Sequence, residues 1–130
     1  MIVSFDFDST LQTMMKRPNK EFVEKFKEHI IAGDTIHIVT SRHPIEGSTK
    51  EIYKFLWENE LIINNQTEGV HIPDIHYTYG ESKISILIEL GVERHYDDCP
   101  SELSMLPPHI EGVDAWNKQA EDDFNQHFYS

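Results

Sequence analysis

The chain has 130 residues, with 11 Lys and Arg against 23 Asp and Glu, a formal net charge of −12. That length fits one domain. The charge argues against a bulk electrostatic grip on nucleic acid or anionic membrane, because phosphate binding rewards a basic surface. A hydrophobic content of 38% with 11% aromatics excludes wholesale disorder.

The single Cys99 forms no internal disulfide, which suits a reducing compartment. No stretch approaches the roughly 18 consecutive apolar residues of a membrane span. The opening Met1-Ile2-Val3-Ser4-Phe5 has no basic flank and meets Asp6, unlike a signal peptide. The expectation is a cytoplasmic chain that does not engage a membrane.

In chain order, Ile2-Val3-Ser4-Phe5-Asp6-Phe7-Asp8 predicts a buried strand with acids at its C-terminal end. A loop to Pro18 leads to a helix with Asn19 as N-cap. Its stripe is Phe22, Val23, Phe26, Ile30 and Ile31, and Gly33 is its stop. Ile36-His37-Ile38-Val39 predicts a second buried strand, ending at Thr40-Ser41-Arg42. Pro44 and Gly47 punctuate a turn before a helix over 49–60 that turns Ile52, Phe55 and Leu56 inward and makes Trp57 a core or interface residue.

Asn64, Asn65 and Gly69 predict a loop, and Ile75-His76-Tyr77-Thr78-Tyr79 a short strand. Ser82 then caps a helix carrying Ile84, Ile86, Leu87, Ile88 and Leu90, with Gly91 as its stop. Glu93-Arg94-His95-Tyr96 leads as a strand into Asp97-Asp98. Beyond it, residues 106–130 predict a turn at Pro107-Pro108, an edge strand near Val113 to Trp116 and an acidic surface helix or frayed end. Strands alternating with helices predict an α/β fold, a doubly wound, mainly parallel, Rossmann-like sheet in one domain over 1–130.

In such sheets ligands bind beyond the carboxyl ends of the strands. Asp6 and Asp8 follow the first strand, Thr40 the second, and Asp97 and Asp98 the last, while Lys83 opens the helix after the third. Carboxylates gathered on one rim repel and raise each other's proton affinity unless a cation sits among them. Mg²⁺, a hard ion that takes oxygen ligands and keeps waters a phosphate can replace, suits that set. His71, His76 and His95 match no zinc ligand spacing, and no second cysteine joins Cys99.

These residues resemble the motifs of the haloacid dehalogenase (HAD) superfamily. Asp6-Phe7-Asp8-Ser9-Thr10 matches its DxDxT signature, Ile38-Val39-Thr40-Ser41 its second motif, Lys83 its third and Asp97-Asp98 its fourth, in order across most of the chain. The resemblance implies an Mg²⁺-dependent phosphomonoesterase. Asp6 would be the nucleophile forming an aspartyl-phosphate, and Asp8 the general acid and then base. Mg²⁺ would be held by the Asp6 carboxylate, the Asp8 backbone carbonyl and Asp97, with Asp98 direct or indirect. Thr40, or Ser41 in its place, would bind the phosphoryl group, and Lys83 would offset its charge.

Asp8 favours phosphate esters over carbon–halogen substrates, which the family's halogen-cleaving members attack without that second acid. The intervals 11–36 and 43–82 hold no independent domain, so the resemblance implies a capless member. Its phosphorylated substrate is then a nucleotide, another metabolite or a phosphorylated macromolecule such as a nucleic-acid 3′-end. The net charge favours a small molecule, although Lys16, Arg17, Lys20, Arg42 and His43 could form a local basic lip. Arg42 is expected to touch substrate or to pair with a surface acid, and Glu102 to be a surface helix acid or, as the alternative, to assist the metal shell. A monomer or homodimer fits equally. Two readings from other classes are weaker: a receiver-type phosphoacceptor needs its Asp before the Thr and Lys, and an idle scaffold has no reason to keep all four motifs.

Overall fold

The computed structural model describes residues 1–129. The elements are β1 (Ile2–Phe5), α1 (Lys20–Ala32), β2 (Thr35–Thr40), α2 (Glu46–Glu58), β3 (Ile63–Asn65), β4 (Gly69–His71) and β5 (Asp74–Tyr77). They continue with α3 (Ile84–Glu89), β6 (Arg94–Asp97), α4 (Pro100–Ser104), β7 (Glu111–Asp114) and α5 (Lys118–Tyr129). Five strands form one sheet in the order β5-β2-β1-β6-β7, and every pairing in it is parallel. The α/β reading with a Rossmann-like parallel sheet therefore holds. Among the described residues no helix is long and apolar enough to cross a membrane.

Period-2 alternation divides the core between the two faces of the sheet. Val3, Phe5, Ile36, Ile38 and Tyr96 pack with Phe22, Val23 and Phe26 of α1 and Ile52, Phe55 and Leu56 of α2. The alternate residue Val39 packs with Leu87 of α3, Val92 and Ile110, against which Ile2, Ile86, Leu90 and Leu106 also lie. Phe5 stacks on Tyr96 at 4.3 Å between centroids, which fixes β1 against β6. α5 is fastened to the segment before α1, where Asp123 accepts from the Thr13 hydroxyl and Gln119 donates to the Pro18 carbonyl.

Several local expectations are corrected. Asn19 occupies the N-cap of α1 but makes no side-chain cap; its buried amide pairs with Asn117 ahead of α5. Ile31 is 85% exposed, because the inward stripe passes through Phe22, Phe26 and His29 instead. Trp57 is half exposed and belongs to no core cluster. The expected loop around Asn64 and Gly69 is an antiparallel hairpin, β3 with β4, outside the main sheet. It borders the N-terminal ends of β2 and β5, so it covers nothing at the carboxyl ends.

Candidate active site

Chain order sets the place. From β1 the chain moves to β2 and β5 on one side, then returns across the sheet to β6 on the other. The carboxyl ends of β1 and β6 thus flank the point where strand order reverses, the crevice in which open α/β sheets bind ligands. Asp6 follows β1 and Asp97 ends β6, and the Asp6 N–H donates to the Tyr96 carbonyl at 2.9 Å, continuing the ladder to the acids.

Lys83 arrives from the opposite strand edge. The turn after β5 folds back on the end of β2, with Thr78 N–H donating to Thr40 O and Gly80 N–H to Ser41 O. Gly80 sits at φ 81°, a left-handed conformation glycine adopts without Cβ strain. This reversal delivers Lys83 to the start of α3, where its Nζ donates to Asp6 Oδ1 at 2.8 Å and Asp97 Oδ2 at 2.7 Å. All three side chains are buried.

Asp98 completes the group. One carboxylate oxygen from each of Asp6, Asp97 and Asp98 lies within 4.8 Å of the others. Three carboxylates against one ammonium leave an excess of two negative charges. Burial first, then the neighbouring acids, push Asp6 well above its ordinary value in spite of Lys83. Burial also raises Asp98. Burial alone would raise Asp97 too, but the His95 hydrogen bond and the Lys83 ammonium hold it at about 2. Asp6 and Asp97 raise Lys83, overcoming its desolvation. An all-oxygen donor set with two uncompensated charges fits a hard divalent ion.

Asp8 stands apart from this group. Arg42 grips it with two hydrogen bonds, Nε to Oδ2 at 2.8 Å and a terminal nitrogen to Oδ1 at 2.7 Å. The same guanidinium reaches Glu51 at 2.8 Å, Lys16 reaches Glu51 at 3.1 Å, and Arg42 lies over the Phe7 ring. Two acids and two cations form a neutral quartet, so Asp8 adds no net charge to the group of Asp6, Asp97 and Asp98. Arg42 does pair with acids, Glu51 on α2 and the motif's own Asp8. Of the expected basic lip, Lys16 and Arg42 are in the quartet and Arg17 lies 4.0 Å from Asp123.

Thr40 is fully buried, and its hydroxyl accepts from the Arg42 N–H at 3.3 Å. A cleft of about 280 Å³ opens beside the acids and is lined by Ser41 rather than Thr40, together with Asp6, Asp8, Lys83, Asp97 and Asp98. Glu102 also lines it and accepts from the Lys83 backbone N–H, so it is not simply a surface acid. A larger cavity, about 560 Å³, lies at the other end of the sheet and contains none of these acids. Chemistry, not size, decides for the smaller cleft.

Sequence reasoning missed His95. It is fully buried, pairs in register with Ser4 across β1 and β6, and bridges Ser4 Oγ at 2.6 Å to Asp97 Oδ2 at 2.9 Å. Because a carboxylate only accepts, Nε2 carries the proton toward Asp97. The available signal was a polar residue two positions before Asp97 on a central strand, hence on the same face. His95→Ala strands Ser4 and removes a donor from Asp97. The expected cost is about 2–4 kcal/mol, read by urea denaturation; a change under about 1 kcal/mol would mean the relay carries no stability. The other two histidines singled out in sequence lie elsewhere, His71 in the hairpin and His76 beside His37. Comparison with family models, with curated proteins and with solved structures finds no match to this chain.

Proposed function

We propose that this chain is an Mg²⁺-dependent phosphomonoester hydrolase of the HAD type, acting through an aspartyl-phosphate on Asp6. The observation that carries the reading is the Lys83 ammonium shared between Asp6 and Asp97 at the strand-order reversal, with Asp98 completing a doubly charged oxygen cage. Asp6, Asp97 and Asp98 would hold the ion, as the motif order in sequence also implies. When bound, Mg²⁺ supplies charge neutralisation for the three acids and for the phosphoryl oxygens.

Asp6 is aimed before substrate arrives. Lys83 holds Oδ1, and the Thr10 hydroxyl donates to Oδ2 at 3.1 Å. The carboxylate is thereby fixed in orientation, and a cation at the cage would lower its raised proton affinity. Oδ2 attacks phosphorus, the ester P–O bond breaks, and the leaving oxygen takes a proton. Water then attacks the acyl phosphate, returning inorganic phosphate and the Asp6 carboxylate. Ser41 is the hydroxyl placed to donate to the phosphoryl oxygens, with buried Thr40 fixing the strand end behind it.

Asp8 is the acid and base of this scheme, and Arg42 governs it. A bidentate guanidinium holds the Asp8 carboxylate in place, where it would serve as base toward water. Protonating a leaving group requires that grip to loosen, and a phosphoryl oxygen drawing on Arg42 would do so. The acidic body, with a net charge of −12, favours a small phosphorylated metabolite over nucleic acid.

The test is phosphate release from an aryl phosphate and a panel of nucleotide and sugar phosphates, with Mg²⁺ or with EDTA. Turnover dependent on Mg²⁺ supports the reading; no release from any ester under either condition overturns it for small substrates. Within that panel, Asp8→Asn is expected to cost sugar phosphates about 10²–10⁴-fold, and aryl phosphate less, because a good leaving group needs no proton. Equal losses on both would remove Asp8 from the acid role.

A further inference from the structure

A second constellation lies at the far end of the same sheet. Residues paired across parallel strands share a face, and His37 of β2 is in register with Asp74 of β5 while Val39 is in register with His76. Asp74 and His76, two apart, therefore lie on the face His37 uses. One ligand atom from each of His37, Asp74 and His76 falls within 4.8 Å of the other two.

We propose that His37, Asp74 and His76 form a second metal site, for a borderline divalent ion of which Zn²⁺ is the representative. His37 Nδ1 and His76 Nε2 are 3.1 Å apart. Two imidazole nitrogens bound to tetrahedral zinc at ~2.0–2.1 Å stand roughly 3.3 Å apart, so the rings already keep the spacing a shared ion imposes. Their planes are inclined at 54°, and they do not stack. Two imidazoles and one carboxylate are a three-residue donor set that leaves a further position for water or ligand.

His37 is nearly buried and sits within a paired strand, which fixes its direction. Burial and the adjacent His76 lower its proton affinity, opposed by Asp74, so the ring is neutral and its lone pair available. The ion takes the place of the proton shared by the two rings: His37 then carries its proton on Nε2 and His76 on Nδ1.

Asp74 is exposed and His76 half-buried, so the group can be reached from solvent. His37 and Asp74 line the cavity of about 560 Å³, whose other wall includes Ile63, Asn64 and His71 of the hairpin. This site is chemically distinct from the acid cage, imidazole against carboxylate, and lies about 10 Å back along β2 from Thr40 at 3.3 Å per residue. An ion there would pin β5, an edge strand whose only neighbour in the sheet is β2 and whose end leads into the turn that carries Lys83.

The test is Zn²⁺ titration of the full chain, free of any affinity tag, with Mg²⁺ in large excess, by calorimetry and by imidazole ¹⁵N NMR. The expected result is one equivalent bound, with Nδ1 of His37 and Nε2 of His76 metallated. His76→Gln and Asp74→Asn, both away from the core, weaken binding by at least about tenfold, whereas His71→Ala does not. Unchanged affinity in His76→Gln and Asp74→Asn, or no uptake by the wild-type chain, overturns the proposal. So does uptake abolished by Asp97→Asn and retained in His76→Gln, which would place the ion among the acids.

Discussion

Asp6→Asn is expected to reduce Mg²⁺-dependent phosphate release by a factor on the order of 10⁴ or more, since in the proposed mechanism the acyl phosphate forms on the Asp6 carboxylate. The fold should survive. Asn keeps the shape, can still accept from Lys83, and can offer its amide to Thr10 where the carboxylate accepted. Without a cation the substitution also removes one of three crowded negative charges, from the residue whose proton affinity burial and like charge raise most plainly. In EDTA the thermal midpoint of Asp6→Asn should therefore equal or exceed that of the wild type. Activity and melting together make the result decisive: retained turnover removes Asp6 as nucleophile, and a lower midpoint would mean that Asp6 stabilises the resting site.

Lys83→Ala is expected to cost about 3–5 kcal/mol at neutral pH, because it leaves two buried carboxylates without their shared partner. The sign of its pH dependence follows from those acids. Asp97, held at about 2, contributes stability present above its unfolded value of about 3.9 and lost as pH falls through the folded value. Asp6 is raised, so its contribution is present below the unfolded value and lost as pH rises through the folded one. Removing Lys83 moves both folded values upward. The deficit should then be greatest near pH 7 and shrink toward pH 4 as the acids take protons, and Mg²⁺ should narrow it at pH 7. Urea denaturation at the two pH values reads this directly. A deficit that does not change with pH would assign the loss to packing rather than charge.

Asp6 was legible because it terminates an apolar run, whereas Asp97 follows the polar Glu93-Arg94-His95-Tyr96 and was legible only from its place after the third helix and from the motif order. The helix stripe through Phe22 and Phe26, and Leu87 of the third helix, were legible from pattern alone. Neighbour identity was not. The His37, Asp74 and His76 group depends on β2 lying beside β5 in one register, and one residue of slip would send His37 to a different partner. The Arg42 grip on Asp8 is equally invisible, since a surface acid and Asp8 were both within reach of a long flexible side chain. The hairpin was missed because strands of three residues, Ile63–Asn65 and Gly69–His71, are too short to display alternation. Ser41 displaced Thr40 at the cleft because a strand's last residue can still be covered by the chain that folds back over it, here Thr78.

The central place of β1 has a consequence for synthesis. Its four residues precede both of their neighbours in the chain, so one edge waits for β2 and the other for β6, which ends at Asp97. Until β6 is made, Ile2-Val3-Ser4-Phe5 presents an unpaired apolar edge, the kind that recruits other nascent chains. Ser4, which needs His95 for a partner, makes that strand a poorer template for any strand unable to supply one. Synthesis of β6 closes that edge and supplies His95 in the same step.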